Sequence, residues 1–428
     1  MRTASVRIRR HMLGVTQVPA SKSASNREVA CAYVARSAAL LVGRALHSDD
    51  TAVLLNAAHA FGALVVQRGR ALHLDASRRR MGRLVSELYV GNSGTTARLV
   101  CSCTGCRQRH ALVHGDPRMH RRPALALTAG LGMLGAKVLH MLRPGALPAA
   151  VGPAGVLKNF APPRLPASES SQFVTASVLA SHGLACKDAP VVCGGLTTSR
   201  PYVTSTVDIM GLFGMHAEGY AWACYAPAQA AGFAAGALVT DADMTSASYP
   251  SALGGMGMGR WCLRGGVEHA SQCDASIADA MSRMGCAMWQ RREGNATRRA
   301  ARRVARPRLL CRSAPDGAMT ALTASIALAG ACDMHGILSW RYKETDRVLA
   351  MSLELRKIGA ATDCSMGSMA CEACARPWHG RADVSTYRDH RIAMCCSLIS
   401  AAGWGVRVVG APCVCKTYPE YLHACACA

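Results

Sequence analysis

The chain has 428 residues, of which half are hydrophobic, 5 % aromatic and 18 % charged, with a formal net charge of +23. Two domains are expected, because that length exceeds what one hydrophobic core usually serves. An apolar run of the roughly eighteen residues a membrane span needs is not seen, and the basic Met1 to Met12 is not followed by the apolar stretch of a secretory signal. The reading is a soluble, cytoplasmic protein with anionic partners, a plastid remaining open on account of the basic Arg2 to Arg10.

In chain order, the turn Pro19 Ala20 Ser21 Lys22 Ser23 Ala24 Ser25 Asn26 Arg27 precedes a helical run expected over Glu28 to Leu41. Gly91 Asn92 Ser93 Gly94 Thr95 Thr96 Ala97 Arg98 follows the strand-like Leu88 Tyr89 Val90 and opens another helix. Gly115 Asp116 Pro117 Arg118 Met119 His120 Arg121 Arg122 Pro123 is expected to do the same, and Ser168 Glu169 Ser170 Ser171 Gln172 leads into Phe173 to Leu179. Each turn places hydroxyls or glycines where the backbone donors of a starting helix are unsatisfied. Capping accounts for any one of them, but not for a cation in or beside so many. The alanine- and proline-rich stretches Pro144 to Pro166 and Ala226 to Ala237 are candidate joints or loops.

Arg291 to Arg308 is the densest basic block, with Arg298, Arg299, Arg302, Arg303 and Arg306. No nucleic-acid-binding motif accompanies it and aromatics are few, so a solvated surface is preferred over a nucleic-acid patch. Further on, Asp316 in Pro315 Asp316 Gly317 Ala318 Met319 Thr320 stands before a helical run, as either an N-cap or a proton-transfer group. In Arg341 Tyr342 Lys343 Glu344 Thr345 Asp346 Arg347, five of seven residues are charged. Lys343, Glu344 and Arg347 are expected in the first turns of a helix over Val348 to Ile358, with Leu349, Met351, Leu353, Leu355 and Ile358 giving a buried face. Cations at a helix start oppose its dipole, a cost that an anionic ligand offsets. The alternative is a solvated helix start with i, i+3 ion pairs.

A repeat organises the whole chain. An apolar helical run ends at glycine and passes into a strand-like run at Phe61 Gly62 Ala63, Leu134 Gly135 Ala136, Phe213 Gly214 Met215, Met284 Gly285 Cys286 and Ile358 Gly359 Ala360, with glycine spacings of 73, 79, 71 and 74. Glycine closes a helix in the left-handed conformation, so the pattern reads as one α/β unit copied several times.

Of the 21 cysteines most are expected to be reduced, buried small residues. Two clusters invite a metal reading, Cys101, Cys103, Cys106 and Cys364, Cys371, Cys374 with His379, but neither has paired CxxC spacing, and no metal is expected. No GxGxxG or Walker loop is present, so neither dinucleotide nor nucleoside triphosphate use is indicated. If Lys22, Arg27, Arg98, Arg122, Lys343, Arg347, Arg391 and Lys416 converge, they suit two polyanionic small molecules held at once. Asp316 and Glu344 are the carboxylates placed to move protons, although an ion pair is the simpler reading of Glu344.

SKSASNR, GNSGTTAR, GDPRMHRRP, SSQF, SASY, PDGAMT, RYKETDR, YRDHRIAM and KTYPEY span residues 21 to 421. In order and spacing this set resembles the 3-phosphoshikimate 1-carboxyvinyltransferase (enolpyruvylshikimate-phosphate synthase) family. The lysine-asparagine opening motif and catalytic-cysteine loop of the related UDP-N-acetylglucosamine enolpyruvyl transferases have no counterpart. The resemblance implies an α/β (α+β) fold of two similar domains, each of three βαβαββ units, with the active site in the inter-domain cleft. One domain would take residues 1–19 with 242–428, the other 20–241. It implies transfer of the enolpyruvyl group of phosphoenolpyruvate to the 5-hydroxyl of shikimate 3-phosphate, without metal or organic cofactor, by a monomer or by one module of a fused shikimate-pathway chain.

By the same resemblance Lys22 would touch both substrates. Ser23, Arg27, Ser170, Ser171, Gln172, Ser199, Asp316, Ser339 and Lys343 would hold shikimate 3-phosphate. Gly94, Arg122, Gln172, Arg347, Arg391 and Lys416 would hold phosphoenolpyruvate. Asp316 would be the base for the hydroxyl proton and Glu344 the acid for the methylene carbon. There are departures from the family pattern: Ala20 for a glycine, Ser339 for an asparagine, Leu99 for a proline, and Cys273 inside the glutamine-glycine-aspartate at Gln272 and Asp274. With the arginine block they leave one alternative, a degenerate copy that binds nucleic acid. Elemental analysis of the purified protein is expected to give no stoichiometric zinc, and a molar equivalent would overturn the metal-free reading.

Overall fold

Helix-stopping glycines mark where the chain turns back, and they do so in left-handed backbone: Gly62 has φ +96°, Gly135 +101°, Gly214 +73° and Gly359 +82°. The computed structural model describes residues 3–4, 13–42, 48–77, 85–107, 109–153, 162–166, 170–184, 190–194, 199–220, 224–228, 236–265, 272–284, 286–291, 294–299, 306–373 and 381–426. Gly285 lies outside them. The chain divides into two compact units, Lys22–Thr240 and Met1–Ser21 with Asp241–Ala428.

The inner unit, Lys22–Thr240, holds helices α1 (Lys22–Ala35), α2 (Asp49–Ala60), α3 (Gly94–Cys106), α4 (Leu125–Met133), α5 (Ser171–Ser181) and α6 (Pro201–Leu212). Its plan is plainest in the middle copy. Strand Val85–Tyr89 crosses through α3 to pair in parallel with His110–His114, and α4 then leads to Lys137–His140, which returns antiparallel to Ala149–Gly152 beside His110–His114. That is a βαβαββ unit. Arg164–Pro166, α5, Val191–Gly194, α6, His216–Tyr220 and Cys224–Ala228 repeat it. In the remaining sheet Ala237–Val239 supplies the first strand, parallel to Ala38–Val42, with Ala71–Asp75 and Leu64–Arg68 antiparallel beyond.

The outer unit holds α7 (Met244–Gly255), α8 (Ile277–Arg283), α9 (Ala318–Ala329), α10 (Arg347–Lys357), α11 (His390–Ala401) and α12 (Tyr421–Ala426). Leu13–Gln17 pairs in parallel with Arg260–Arg264, followed by Gly294–Arg299 and Cys286–Arg291. Arg308–Leu310, Ala331–His335, Ser368–Glu372 and Ala361–Cys364 repeat the same order. The third sheet joins Ala382–Ser385 and Val406–Val409 in parallel, with Thr3–Ala4 antiparallel at the edge. Within this unit Ala20 bridges Ala242, and the Ser21 and Asp243 amides donate to Asp241 and Pro19 carbonyls.

Helices facing the interior of each unit are buried on most sides, as α1 and α11 show. Apolar side chains there, such as Val29, Leu41 and Leu72 in one unit and Trp261, Trp340 and Met351 in the other, are almost wholly covered. Each aliphatic one contributes about 1.5–3 kcal/mol of transfer free energy.

Four sequence expectations change. The first helix ends at Ala35, because Arg36 takes φ +55° and Ala38–Val42 is a strand between Ala237–Val239 and Ala71–Asp75. The turn over Gly115 to Pro123 opens only the short 3₁₀ segment Met119–Arg121, and α4 starts later, at Leu125. Pro144 to Pro166 is no joint, since it supplies strands to two sheets, and Ala226 to Ala237 has strand at both ends. Lys343 and Glu344 precede α10, whose N-cap is Asp346, while Leu349 and Leu353 face solvent and Met351 and Leu355 are buried.

Asp274 ties two helix starts together. Its Oδ2 accepts from Thr245 Oγ1 of α7 at 2.8 Å and its Oδ1 from the Gly317 amide at the N-cap of α9 at 3.1 Å. Gln272 accepts from the Met244 amide at 3.2 Å, so both residues that flank Cys273 are engaged. Asp274→Ala strands two buried donors and is expected to cost about 3 kcal/mol, lowering Tm by roughly 6–12 °C. An unchanged Tm in calorimetry would remove this bracing role.

Candidate functional site

The outer unit gathers a cluster of charge around Arg347, the first residue of α10. Its guanidinium is 1 % exposed and reaches three carboxylates. Nε and Nη2 donate to Asp389 at 2.8 and 3.3 Å, Nη2 to Glu344 at 2.8 Å, and Nη1 to Asp316 at 3.0 Å. Asp316 also accepts from Arg391 Nη2 at 3.1 Å and lies 3.3 Å from Lys343 Nζ. Lys416 Nζ donates to Glu344 Oε1 at 3.1 Å. Four cations therefore interlock with three carboxylates, a set that a further anion would suit.

Helix starts place these groups. Asp389 is the N-cap of α11 and accepts from the Arg391 amide at 2.9 Å, so one carboxylate fixes both arginines. Asp346 caps α10 through the Leu349 amide at 3.1 Å and pairs with Arg341 at 2.8 Å. Trp340 Nε1 donates to the Pro315 carbonyl at 2.7 Å and steadies the loop bearing Asp316. Burial works to raise the pKa of Asp316, but Arg391, Lys343 and Arg347 outweigh it and hold the carboxyl well below its usual range. Burial lowers the Lys343 ammonium, against the pull of Asp316. Burial also disfavours the Arg347 cation, yet Asp389, Glu344 and Asp316 raise its pKa further.

In the inner unit the N-terminal halves of four helices meet. Asn26 of α1 donates to Thr96 of α3 at 3.3 Å, Gln172 of α5 to Thr95 of α3 at 3.1 Å, and Arg27 of α1 to Thr206 of α6 at 2.7 Å. Helix N-termini carry partial positive charge and favour anions. Lys22, first residue of α1, pairs with Asp50 at 3.0 Å. Arg27 donates to Ser23 Oγ and, at 2.8 Å, to the Ser23 carbonyl. Arg122 donates to the Asn92 carbonyl at 3.2 Å and passes so close to Gly94 that a Cβ there would lie 2.7 Å from its Cζ. Ser170 caps α5 through the Gln172 amide at 3.2 Å, Ser171 is the first residue of that helix, and Ser199 takes φ +58° just before α6.

The predicted residues thus fall into two groups: Lys22, Ser23, Arg27, Gly94, Arg122, Ser170, Ser171, Gln172 and Ser199 in one unit, and Asp316, Ser339, Lys343, Glu344, Arg347, Arg391 and Lys416 in the other. Buried Ser339 Oγ has no hydrogen-bond partner among the described residues. Arg98 turns inward, to the Gly94 and Pro123 carbonyls at 3.2 and 3.1 Å and the face of Phe173, so it clasps the scaffold instead of joining the other cations. Asp316 does not cap α9. The sequence reading missed Asp389 and Asp50. Asp389 was open to reading as an N-cap two residues before Arg391, whereas nothing local marks Asp50.

Cys101, Cys103 and Cys106 are buried in α3, and burial pushes the Cys101 and Cys106 thiols up to about 12, as it does Cys371. Cys374 and His379 lie outside the described residues. Among those described, no group of three or more His, Cys, Asp or Glu is placed to hold a metal ion, and no helix is long and apolar enough to cross a membrane. Of the basic block, Arg306 pairs with Asp333 at 2.9 Å, and Arg302 and Arg303 are outside the described residues.

Comparison with known proteins gives a consistent result. The sequence profile of the EPSP synthase (3-phosphoshikimate 1-carboxyvinyltransferase) family matches residues 6–424. The chain is 34 % identical to the 3-phosphoshikimate 1-carboxyvinyltransferase of Cupriavidus necator over 419 residues, covering 96 % of this chain and 95 % of that one. It is 32 % identical to that of Paraburkholderia phytofirmans over 416 residues, with the same coverage. Its fold is similar to the EPSP synthase structure from Acinetobacter baumannii, with TM-score 0.76 at 18 % identity, covering 99 % of this chain and 97 % of the other.

The pairing of Asp316 has a pH signature. Its folded pKa is below the unfolded value, so its contribution is complete above about pH 5 and is lost as pH falls through and below about 4. Asp316→Asn is therefore expected to lower stability by about 3–5 kcal/mol near neutrality, a deficit that shrinks as pH falls towards 3. A deficit in urea unfolding that stays constant between pH 5 and 3 would contradict the ionised arrangement.

Proposed function

The chain belongs to the EPSP synthase family and catalyses its reaction, transfer of the enolpyruvyl group of phosphoenolpyruvate to the 5-hydroxyl of shikimate 3-phosphate with release of phosphate; we propose that Asp316, Glu344 and Lys22 carry it out. The observation that carries this assignment is Arg347, which holds two candidate proton-transfer carboxylates, Asp316 and Glu344, within hydrogen-bond distance of one guanidinium. The family is the glyphosate target of aromatic amino-acid biosynthesis.

In this reading Lys22, Ser23, Arg27, Ser170, Ser171, Gln172, Ser199, Asp316, Ser339 and Lys343 bind shikimate 3-phosphate. Lys22, Gly94, Arg122, Gln172, Arg347, Arg391 and Lys416 bind phosphoenolpyruvate. Asp316 takes the proton of the 5-hydroxyl as its oxygen attacks the substituted carbon of the enol, and Glu344 delivers a proton to the methylene carbon. The tetrahedral adduct keeps its phosphate and carboxylate on the cations until Glu344, now ionised, takes back a methyl proton and the carbon–oxygen bond to phosphate breaks, the phosphate leaving with the proton held by Asp316.

A carboxylate held far below its usual pKa is a poor base. Two polyanions arriving at Arg391, Lys343 and Arg347 share the charge that depresses Asp316, and its basicity rises when both are bound. A monomer is proposed as the working unit, and the cytoplasm as its compartment by analogy with the bacterial relatives.

Phosphate release is expected only when both substrates are present. Asp316→Ala and Lys22→Ala should each lower kcat/KM by at least about 10²-fold, the range for one acid–base group. Release of phosphate from phosphoenolpyruvate alone, or full activity in both variants, would sink the assignment of these residues.

A further inference from the structure

The turn between strand Ala382–Ser385 and α11 is held in an unfavourable shape. Tyr387 and Arg388, neither of them glycine, both take left-handed backbone, with φ +52° and +58°. Immediately after them come Asp389, whose two oxygens hold Arg347, and Arg391, which reaches Asp316. A small relaxation at 387–388 would therefore move two of the groups assigned to phosphoenolpyruvate.

Helix α10 grips this turn at two places. Arg347 takes its Asp389 end. Glu354 stands seven residues later, two helical turns along the same face, and takes its Tyr387 end. The Glu354 side chain is 1 % exposed and fully employed. Its Oε1 accepts from Tyr387 Oη at 2.6 Å, while Oε2 accepts from the Ser385 amide at 3.0 Å and from Lys357 Nζ at 2.6 Å. Thr386 adds a bond to the Gly410 carbonyl at 3.2 Å. Burial and the Glu354 carboxylate raise the Tyr387 phenol to about 12, so it remains a donor throughout the working pH range.

We infer that Glu354 is a positioning residue for phosphoenolpyruvate, acting through the Tyr387 hydroxyl and the Ser385 amide to hold the strained turn that presents Asp389 and Arg391. The inference rests on the binding roles proposed above for Arg347 and Arg391. Glu354 touches no substrate, so its effect falls first on Arg347 and Arg391, and reaches Asp316 only through them. Lys343, assigned to shikimate 3-phosphate, lies outside the turn.

The test compares Tyr387→Phe, Glu354→Ala and Glu354→Gln with the parent chain by steady-state kinetics, thermal unfolding and amide hydrogen exchange over residues 385–391 without substrates. Tyr387→Phe removes one hydroxyl from a partly exposed ring and is expected to fold. It should raise the KM for phosphoenolpyruvate about ten-fold, the size of one lost bond to a charged group, with the KM for shikimate 3-phosphate rising less, within about three-fold. Exchange at the Ser385 and Arg391 amides should quicken in Tyr387→Phe and in Glu354→Ala. Glu354→Gln keeps an oxygen for the Ser385 amide and an amide for Tyr387, and should restore both readouts to near parental values. A folded Tyr387→Phe with unchanged phosphoenolpyruvate KM and unchanged exchange would overturn the inference, as would equal rises in both KM values with a fallen Tm. If the parent chain released no phosphate, the assigned reaction would fail, and the exchange comparison would still decide whether Glu354 holds the turn.

Discussion

A guanidinium removed from water is tolerable only when carboxylates replace its solvation, and Arg347 is met by three. Much of the local structure follows from that requirement. Asp389 must be brought to it, which fixes the start of α11 and with it Arg391. Glu344 and Asp316 must also reach it, which sets the segment before α10 and the loop before α9. The same contacts that satisfy a buried charge therefore gather groups of opposite sign into one array. Because Asp316 is shared among Arg347, Arg391 and Lys343, any anion that engages those cations alters the carboxylate too.

The inner unit reaches an anion-attracting surface by another physical route. Repetition of one βαβαββ unit brings several helices side by side, and hydrogen bonds between Asn26 and Thr96, Gln172 and Thr95, and Arg27 and Thr206 join their N-terminal halves. Aligned peptide dipoles and unsatisfied amides give a positive potential that costs no side-chain burial. Arg27 and Arg122 donate to hydroxyl and carbonyl oxygens, which orient their guanidinium groups. In the outer unit four cations interlock with three carboxylates around one guanidinium. The backbone strain at Tyr387 and Arg388 sits beside that array, where a misplaced arginine would matter most.

The sequence carried a large part of this. Glycines at regular spacing disclosed the repeat, because only glycine closes a helix in left-handed backbone at little cost, and the structure gives Gly62, Gly135, Gly214 and Gly359 that conformation. Ordered motifs disclosed the family, since each turn sequence is constrained by what its helix start must hold. Local charge density singled out Arg341 to Arg347 but misjudged its backbone: Lys343 and Glu344 lie before the helix, since Asp346 is the better cap. For Asp316 the sequence left cap and proton carrier equally open, and for Arg98 it offered convergence where the chain instead uses the guanidinium to clasp carbonyls.

What the sequence determined by itself is whatever depends on near neighbours: which helices stop at a glycine, that one α/β unit recurs, which turns carry cations, and to which family the whole belongs. Tertiary structure alone decided which charges meet. Arg347 finds Asp389 42 residues away and Asp316 31 away, Lys416 finds Glu344 at 72, and Arg27 finds Thr206 at 179. No periodicity encodes such pairs, because they are set by how sheets and helices from separate repeats pack. The burial that makes those pairs strong, and that moves the pKa of Asp316, exists only once the packing is complete.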